Sequence, residues 1–334
     1  MTTNTVPGLS TAPVSGAELL AESAGEHPSG SRRRHRFATG MQPLDDVLAG
    51  GFQPHDLVTI TGKPGAGKTI MALQWARWLA MHDVNAIYVC YEHSPRSLLA
   101  RLGALEVAST RRDLDPSTID ALARAAHDFL AGAAPEHGGD DGLCAEALRA
   151  IDSYARRLTF VQGSRRIDMD AIDRVVGQRD HEPAVVFIDY LQKVPVARET
   201  GDETERTAYI AESMKEMAIA RNVGVVGIVA AERNALASRR LRLHDMRGSS
   251  ALAYESDLAL VMNDKAVAVS KSHLAFDPVR AETFKRQIVV SIEKNRSGPS
   301  NLDMEFMRDY AHYRIDPQGA FMVDNLVDDV LYID

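Results

Sequence analysis

The sequence predicts an α/β fold: a mainly parallel, twisted sheet with helices on both faces. Three observations carry that expectation. From Phe37 onward, apolar runs of strand length alternate with helical segments, the pattern of strand–helix–strand units. Two of these runs, "AVVFIDYLQ" and "VGVVGIVAA", are apolar without alternation, as strands covered on both faces are. Finally, "DLVTITG" turns directly into a Gly-rich loop that opens an apolar helix.

Taken in order, the chain opens with a tail over 1–36. "MTTNTVPGLSTAPVSGAELLAESAGEHPSGSRRRHR" has too little apolar surface to build a core and is expected to be disordered. Within it, "SGAELLAES" has the makings of a two-turn helix with Leu19 and Leu20 on one side, and "SRRRHR" reads as a solvated cationic run. The α/β domain spans 37–316. Strand "DLVTITG" leads to helix "TIMALQWARWLAMH", and strand "NAIYVCYE" to helix "SPRSLLARLGAL", with Ser94 as N-cap and Pro95 in the first turn. "AGAAPEHGGDDG", over 131–142, reads as a Gly- and Asp-rich surface loop. Strand "RLTFVQG" and helix "DMDAIDRVVGQRD" precede the apolar strand "AVVFIDYLQ". Helix "ETERTAYIAESMKEMAIARN" then leads to "VGVVGIVAA". Strands "SDLALVMND" and "RQIVVSIEK" follow, and "DMEFMRDYAHYRI" has the pattern of a final edge hairpin. An acidic tail over 317–334, ending "FMVDNLVDDVLYID", has apolar residues among its aspartates.

Composition narrows the function classes. The 334 residues are 45% hydrophobic and 25% charged, ordinary for a soluble globular protein. No apolar run approaches the roughly eighteen residues of a membrane span, and the N-terminus lacks a secretory pattern. Cys90 and Cys144 offer neither metal spacing nor a disulfide framework. A reduced, cytoplasmic protein with no membrane partner is expected. The formal net charge is −8, whereas a protein coating duplex DNA is usually basic. Any nucleic-acid contact must therefore come from a local concentration of cations.

"GKPGAGKT" satisfies G-x-x-x-x-G-K-[ST] in full, between a strand and a helix, where the mechanism requires it. Gly62, Lys63, Pro64, Gly65, Ala66 and Gly67 would form a loop whose N–H groups surround a β-phosphate at a helix N-terminus. Lys68 would reach the β- and γ-phosphates, and Thr69 would place its hydroxyl on Mg²⁺. The motif thus implies a nucleoside triphosphate, ATP by default, with Mg²⁺. Asp189 ends an apolar strand at the sheet edge where such ligands bind, and is placed to hold the metal through water. Glu92 ends a neighbouring strand and is the candidate that polarises the attacking water.

A second cluster needs another explanation. In "SIEKNRSGP", Lys294 and Arg296 are two residues apart on an extended strand and so project to the same face. Solubility at a strand end is one reading. Phosphates that this chain's own fold does not bring to them are the other.

Together, "LDDVLAGGFQPHDLVTITGKPGAGKT", "YVCYEHSPRSLLARL", "VVFIDYLQ", "HDMRGSSALAYESDLALVM" and "EKNRSGP", in that order, resemble the C-terminal motor domain of DnaB-type replicative helicases, within the RecA-like P-loop NTPases. The resemblance runs from about Phe37 to Ile315. It implies a RecA-like fold, ATP hydrolysis, DNA helicase activity in replication, and a homo-oligomer, a hexameric ring, with active sites at subunit interfaces. It also implies that Lys294 and Arg296 reach a neighbouring subunit's γ-phosphate. A finger of that kind supplied in trans is worth about 10³–10⁵ in rate, and a head-to-tail contact generates a ring or a filament.

The chain departs from the family in two places. Only the tail precedes Phe37, where the family carries an N-terminal domain and linker helix, so the resemblance leaves primase binding and a loading collar open. The family's Ser-Gln-x-Asn-Arg segment, whose Gln senses the γ-phosphate, reads "VAAER" here, with Ala230 at the Gln and Glu232 at the Asn. An alanine methyl cannot hydrogen-bond phosphate. The following stretch nevertheless concentrates Arg233, Arg239, Arg240, Arg242 and Arg247 ahead of Gly248, Ser249 and Ser250, with Asp245 as its only acid. Repeated around a channel, such loops would hold a single-stranded DNA backbone. Three functions follow: a ring motor on single-stranded DNA, an oligomeric ATPase switch or scaffold with a protein partner, and a recombination ATPase of the RecA or RadA kind, against which "IDYLQ" argues.

Overall fold

The computed structural model describes residues 15–17, 20, 36–110, 114–132, 141–179, 182–196, 202–269 and 278–328. Most of the N-terminal tail and the last residues of the acidic tail lie outside them. Of the short helix expected over "SGAELLAES", Gly16, Ala17 and Leu20 are described and are helical.

The strands and main helices alternate as the apolar runs require. They are β1 (Leu57–Gly62), α1 (Lys68–Met81), β2 (Asn85–Cys90), α2 (Pro95–Thr110), α3 (Pro116–Ala131), α4 (Asp141–Ala155) and β3 (Leu158–Gln162). Next come α5 (Met169–Gly177), β4 (Ala184–Asp189), α6 (Glu203–Arg221), β5 (Gly224–Ala230), α7 (Ser249–Glu255) and β6 (Leu258–Asp264). The chain continues with α8 (Pro278–Lys285), β7 (Gln287–Asn295), β8 (Leu302–Asp309), β9 (Arg314–Ile315) and β10 (Ala320–Phe321). They form one sheet in the order β10-β8-β7-β6-β1-β5-β4-β2-β3, with β9 added to β8. The pairs from β6 through β3 are parallel, whereas β7 and β8 extend the sheet antiparallel. The mainly parallel sheet expected from the sequence is therefore present, with an antiparallel wing.

Why the central strands read as unbroken apolar runs is visible in β4. Val185 and Phe187 pack into a core under α1 and α2, while Val186 and Ile188 face a second core under α5 and α6. Successive residues point to opposite faces, and here both faces are covered.

Two helices go beyond the alternation seen in the sequence. α3 has ordinary start and stop signals: Asp115 caps the Thr118 N–H, Pro116 follows, and Gly132 closes it in a left-handed conformation. α4 begins at Asp141, so Ala131, Asp141 and Gly142 of the expected surface loop are helical, while 133–140 lie outside the described residues. The expected edge hairpin is also placed differently. β8 and β9 do form an antiparallel pair, but β10 returns to pair with β8 and is itself the edge. Burial of Met304 and Phe306 explains why β8 is covered. Beyond β10, Asp324 pairs with Lys265 and Arg280, and the Val327 N–H donates to the Ala268 carbonyl. Through residue 328, the acidic segment lies on its own domain. Among the described residues, no helix is long and apolar enough to cross a membrane.

α1, α2 and α4 are joined by a buried charged cluster. The Arg77 guanidinium donates to both oxygens of Glu106, at 2.5 and 2.6 Å, and the Tyr154 hydroxyl donates to Glu106 at 2.7 Å. Glu106 is 1% exposed, so removing it strands a buried guanidinium. Glu106→Ala is expected to lower unfolding free energy by about 3–5 kcal/mol, measured by denaturant titration.

Candidate nucleotide site and its flanking cations

The phosphate loop leaves β1 at Gly62 and enters α1 at Lys68. Gly65 and Gly67 both have positive φ, at 80° and 93°, which only glycine adopts without strain. Space matters as well at Gly67, where an added Cβ would lie 2.3 Å from the Tyr310 hydroxyl oxygen. That hydroxyl donates to the Ala66 carbonyl at 2.5 Å, so the wing of the sheet holds the loop from above. The Lys68 ammonium donates to the carbonyls of Gly62 and Lys63, at 2.8 and 3.0 Å. Burial pushes its pKa below the ordinary lysine range, against the pull of Asp189 and Glu92. Lys63 reaches out of the loop to the Ser238 carbonyl.

Asp189 meets this loop from β4. One carboxylate oxygen accepts from the Thr69 hydroxyl at 2.8 Å and the Tyr88 hydroxyl at 3.0 Å. The other is buried with no hydrogen-bond partner among the described residues. Desolvation raises the carboxyl's pKa, and the two hydroxyls oppose that rise. An orphaned carboxylate oxygen beside a threonine hydroxyl is the oxygen donor pair a hard divalent cation takes. The residues present therefore fit Mg²⁺. Glu92 follows β2, where the Tyr91 N–H donates to the Asp189 carbonyl at 2.7 Å. Its carboxylate is partly exposed, 3.6 Å from the Lys193 ammonium. Gly62–Thr69, Asp189 and Glu92 are thus brought together at one sheet edge.

Lys294 and Arg296 are not at that edge. β7 runs antiparallel to β6, with Lys294 opposite Ala259, whereas Gly62 lies in register with Met262. The cations therefore sit toward the end of the sheet where β1 begins, roughly 10 Å along the strand from the phosphate loop at Lys294 and roughly 17 Å at Arg296, whose N–H donates to the Asp257 carbonyl. They do project side by side: both donate to the Tyr254 carbonyl at the C-terminus of α7. Lys294 also donates to Ala253, at 2.5 Å, and Arg296 pairs with Asp257, at 3.2 Å. Desolvation and the neighbouring Arg296 lower the Lys294 pKa.

The arginine-bearing loop after β5 is tied down by partners from distant parts of the chain. Arg239 is buried and donates to the carbonyls of Val267 and Val269. Arg240 is buried against Asp303 at 2.7 Å, Arg242 pairs with Glu293 at 3.2 Å, and Arg247 pairs with Glu203. Asp328 approaches Arg240 and Arg242 at 3.8 and 3.7 Å. Arg233 is exposed with no ion-pair partner among the described residues, and Gly248, at φ 77°, begins α7. Glu232 closes the loop: its N–H donates to the Asp245 carbonyl, and its carboxylate accepts from the Gly248 N–H at 3.3 Å. Ala230 lies in register with Gly62.

Tyr88, Tyr310 and Asp257 escaped sequence reasoning. Tyr88 is an ordinary strand residue, and Tyr310 meets Ala66 across 244 positions, so neither has a local signature. Asp257 accepts from the Leu57 N–H and pairs with Lys215 as well as Arg296.

The family model described as the DnaB-like helicase C-terminal domain matches residues 37–315. A replicative DNA helicase DnaB from Treponema pallidum is 23% identical over 279 residues, covering 83% of this chain and 55% of the relative. The DNA repair protein RadA of Synechocystis is 30% identical over 143 residues, 42% of this chain and 27% of that protein. The chain spans about half the length, or less, of these relatives. Among solved structures, the ATPase domain of G40P superposes with a TM-score of 0.71 at 20% identity, covering 91% of this chain and 99% of its own. That likeness shows the RecA-like fold.

Asp189 also yields a test. A carboxyl whose pKa is raised on folding is penalised in the folded state once pH exceeds its unfolded value, because the buried form disfavours the charge. Asp189→Asn is expected to raise the Tm of the unliganded chain and to abolish the further rise on adding Mg²⁺ and ATP. Thermal unfolding with and without both ligands checks this.

Proposed function

The chain belongs to the DnaB-like helicase C-terminal domain family, and on that footing we propose that it is an ATP-hydrolysing motor that assembles head to tail, closing as a hexameric ring on single-stranded DNA. The observation that carries this reading is the separation of Lys294 and Arg296 from their own phosphate loop, at opposite ends of the parallel strands. Cations so placed serve a phosphate only if a second copy presents one. In that arrangement each active site is shared: one protomer supplies Gly62–Thr69, Asp189 and Glu92, and its neighbour supplies Lys294 and Arg296.

Within one protomer, the loop N–H groups and the end of α1 hold the phosphates, and Lys68 leaves the carbonyls of Gly62 and Lys63 to meet them. Thr69 and Asp189 would hold Mg²⁺, which would supply neutralising charge at the phosphates. Glu92, partly exposed, orients the attacking water and accepts its proton. Arg296, with Lys294 beside it, stabilises charge spread over the transferred phosphoryl group. Single-stranded DNA would meet the loop after β5 through Arg233, Arg247 and Gly248, while Arg239, Arg240 and Arg242 hold that loop's shape from within. The setting proposed for this motor is the cytoplasm.

A second reading has an observation in its favour. Four of the five loop arginines already have carboxylate or carbonyl partners in the chain, which leaves less charge for DNA. In that reading ATP assembles the ring and hydrolysis releases it, with a protein as the partner.

ATP turnover with and without single-stranded DNA separates the two. The motor reading predicts stimulation by DNA, loss of turnover in Lys68→Ala, and a fall of about 10³–10⁵ in Arg296→Ala. Turnover indifferent to DNA but still dependent on Arg296 would establish the switch instead.

A further inference from the structure

Ala230, at the position the resemblance gives to a glutamine, has no side chain able to link the nucleotide edge to the arginine-bearing loop. We infer that Gln192, three residues beyond Asp189, is a positioning residue that makes this link. Its side-chain carbonyl accepts from the Ala230 N–H at 3.1 Å, and its side-chain amide donates to the Arg247 carbonyl at 3.3 Å. The Arg247 N–H in turn donates to the Ala230 carbonyl at 2.9 Å. One amide thus closes a triangle between the end of β4, the end of β5 and the exit of the loop.

Each corner is anchored to something with a chemical role in the proposed function, on which this inference rests. Gln192 sits in a 3₁₀ turn, Leu191–Lys193, pinned by fully buried Leu191 and Val194. That turn begins two residues after Asp189, so the carboxylate and Gln192 are carried on one short segment. Ala230 is the register partner of Gly62, the first residue of the phosphate loop. Beyond Arg247, Gly248 opens α7, whose far end accepts from Lys294 and Arg296 through Ala253 and Tyr254. The connection therefore runs from a protomer's own phosphates, through Gln192 and Arg247, to the cations it offers its neighbour. A side-chain amide suits this position because it both donates and accepts. Its 3.3 Å arm is the longest of the three bonds and the one most easily exchanged.

The test is hydrogen exchange on the full chain, with and without Mg²⁺ and a slowly hydrolysed ATP analogue, in wild type, Gln192→Ala and Gln192→Glu. The Glu variant keeps the acceptor for Ala230 but sets an oxygen against the Arg247 carbonyl. In all three, the analogue should slow exchange across 62–69. In wild type it should also slow amides across 246–255 by about tenfold. Both variants should lose the second effect and keep the first, and Gln192→Glu should retain protection of the Ala230 amide, which a merely destabilised fold would not. A response across 246–255 that persists in the variants overturns the role of Gln192. So does wild type in which 62–69 responds and 246–255 does not. No response at 62–69 in wild type would overturn the nucleotide reading, and the bridge with it.

Discussion

The parallel register of β1 against β5 and β6 determines where all the chemistry lies. It sets Gly62 beside Ala230 on one flank and Met262 on the other, so the phosphate loop emerges where β5 hands over to the arginine-bearing loop. Because β7 then returns antiparallel, its C-terminal residues are carried to the far edge. A strand cannot present its end at both edges of a sheet. Lys294 and Arg296 are accordingly remote from their own phosphate loop, which is why we propose that they meet the phosphates of a second copy.

Buried charge is used in two ways. Where both partners are present, as in Arg77 with Glu106 or Lys265 with Glu305 and Asp324, it ties helices and the C-terminal segment to the sheet. Such pairs cost desolvation and repay it through geometry, so losing one partner is severe. Asp189 differs, because one of its carboxylate oxygens has no hydrogen-bond partner among the described residues. An incompletely satisfied buried carboxylate is an expensive feature for stability and a natural one for a cation site. The loop arginines fall between these cases: buried at Arg239 and Arg240, paired at Arg242 and Arg247, and open at Arg233.

Strand-end chemistry was legible in the sequence because it is local. Gly62–Thr69, Asp189 and Glu92 each end an apolar run, and such ends converge at one edge of a parallel sheet, where the structure places them. The pairing of Lys294 with Arg296 was legible for the same reason, from a two-residue spacing on a strand. What was not legible depends on distant partners. The arginine loop reads as a free cationic patch until Glu203, Glu293 and Asp303 arrive from elsewhere. Tyr88 and Tyr310 become site neighbours only through the fold. α3 is a different case, since Asp115, Pro116 and Gly132 mark its ends locally in the sequence.

The central claim, that one protomer's cations complete another's site, has a direct test in mixing two disabled chains. Lys68→Ala retains Arg296 and lacks a working phosphate loop; Arg296→Ala is the converse. Each alone should turn over ATP barely or not at all. If the site is shared, mixing them creates interfaces that join an intact loop to an intact arginine, and turnover returns in the mixture. A mixture as inactive as its components, in which mixed assemblies have formed, would contradict the account.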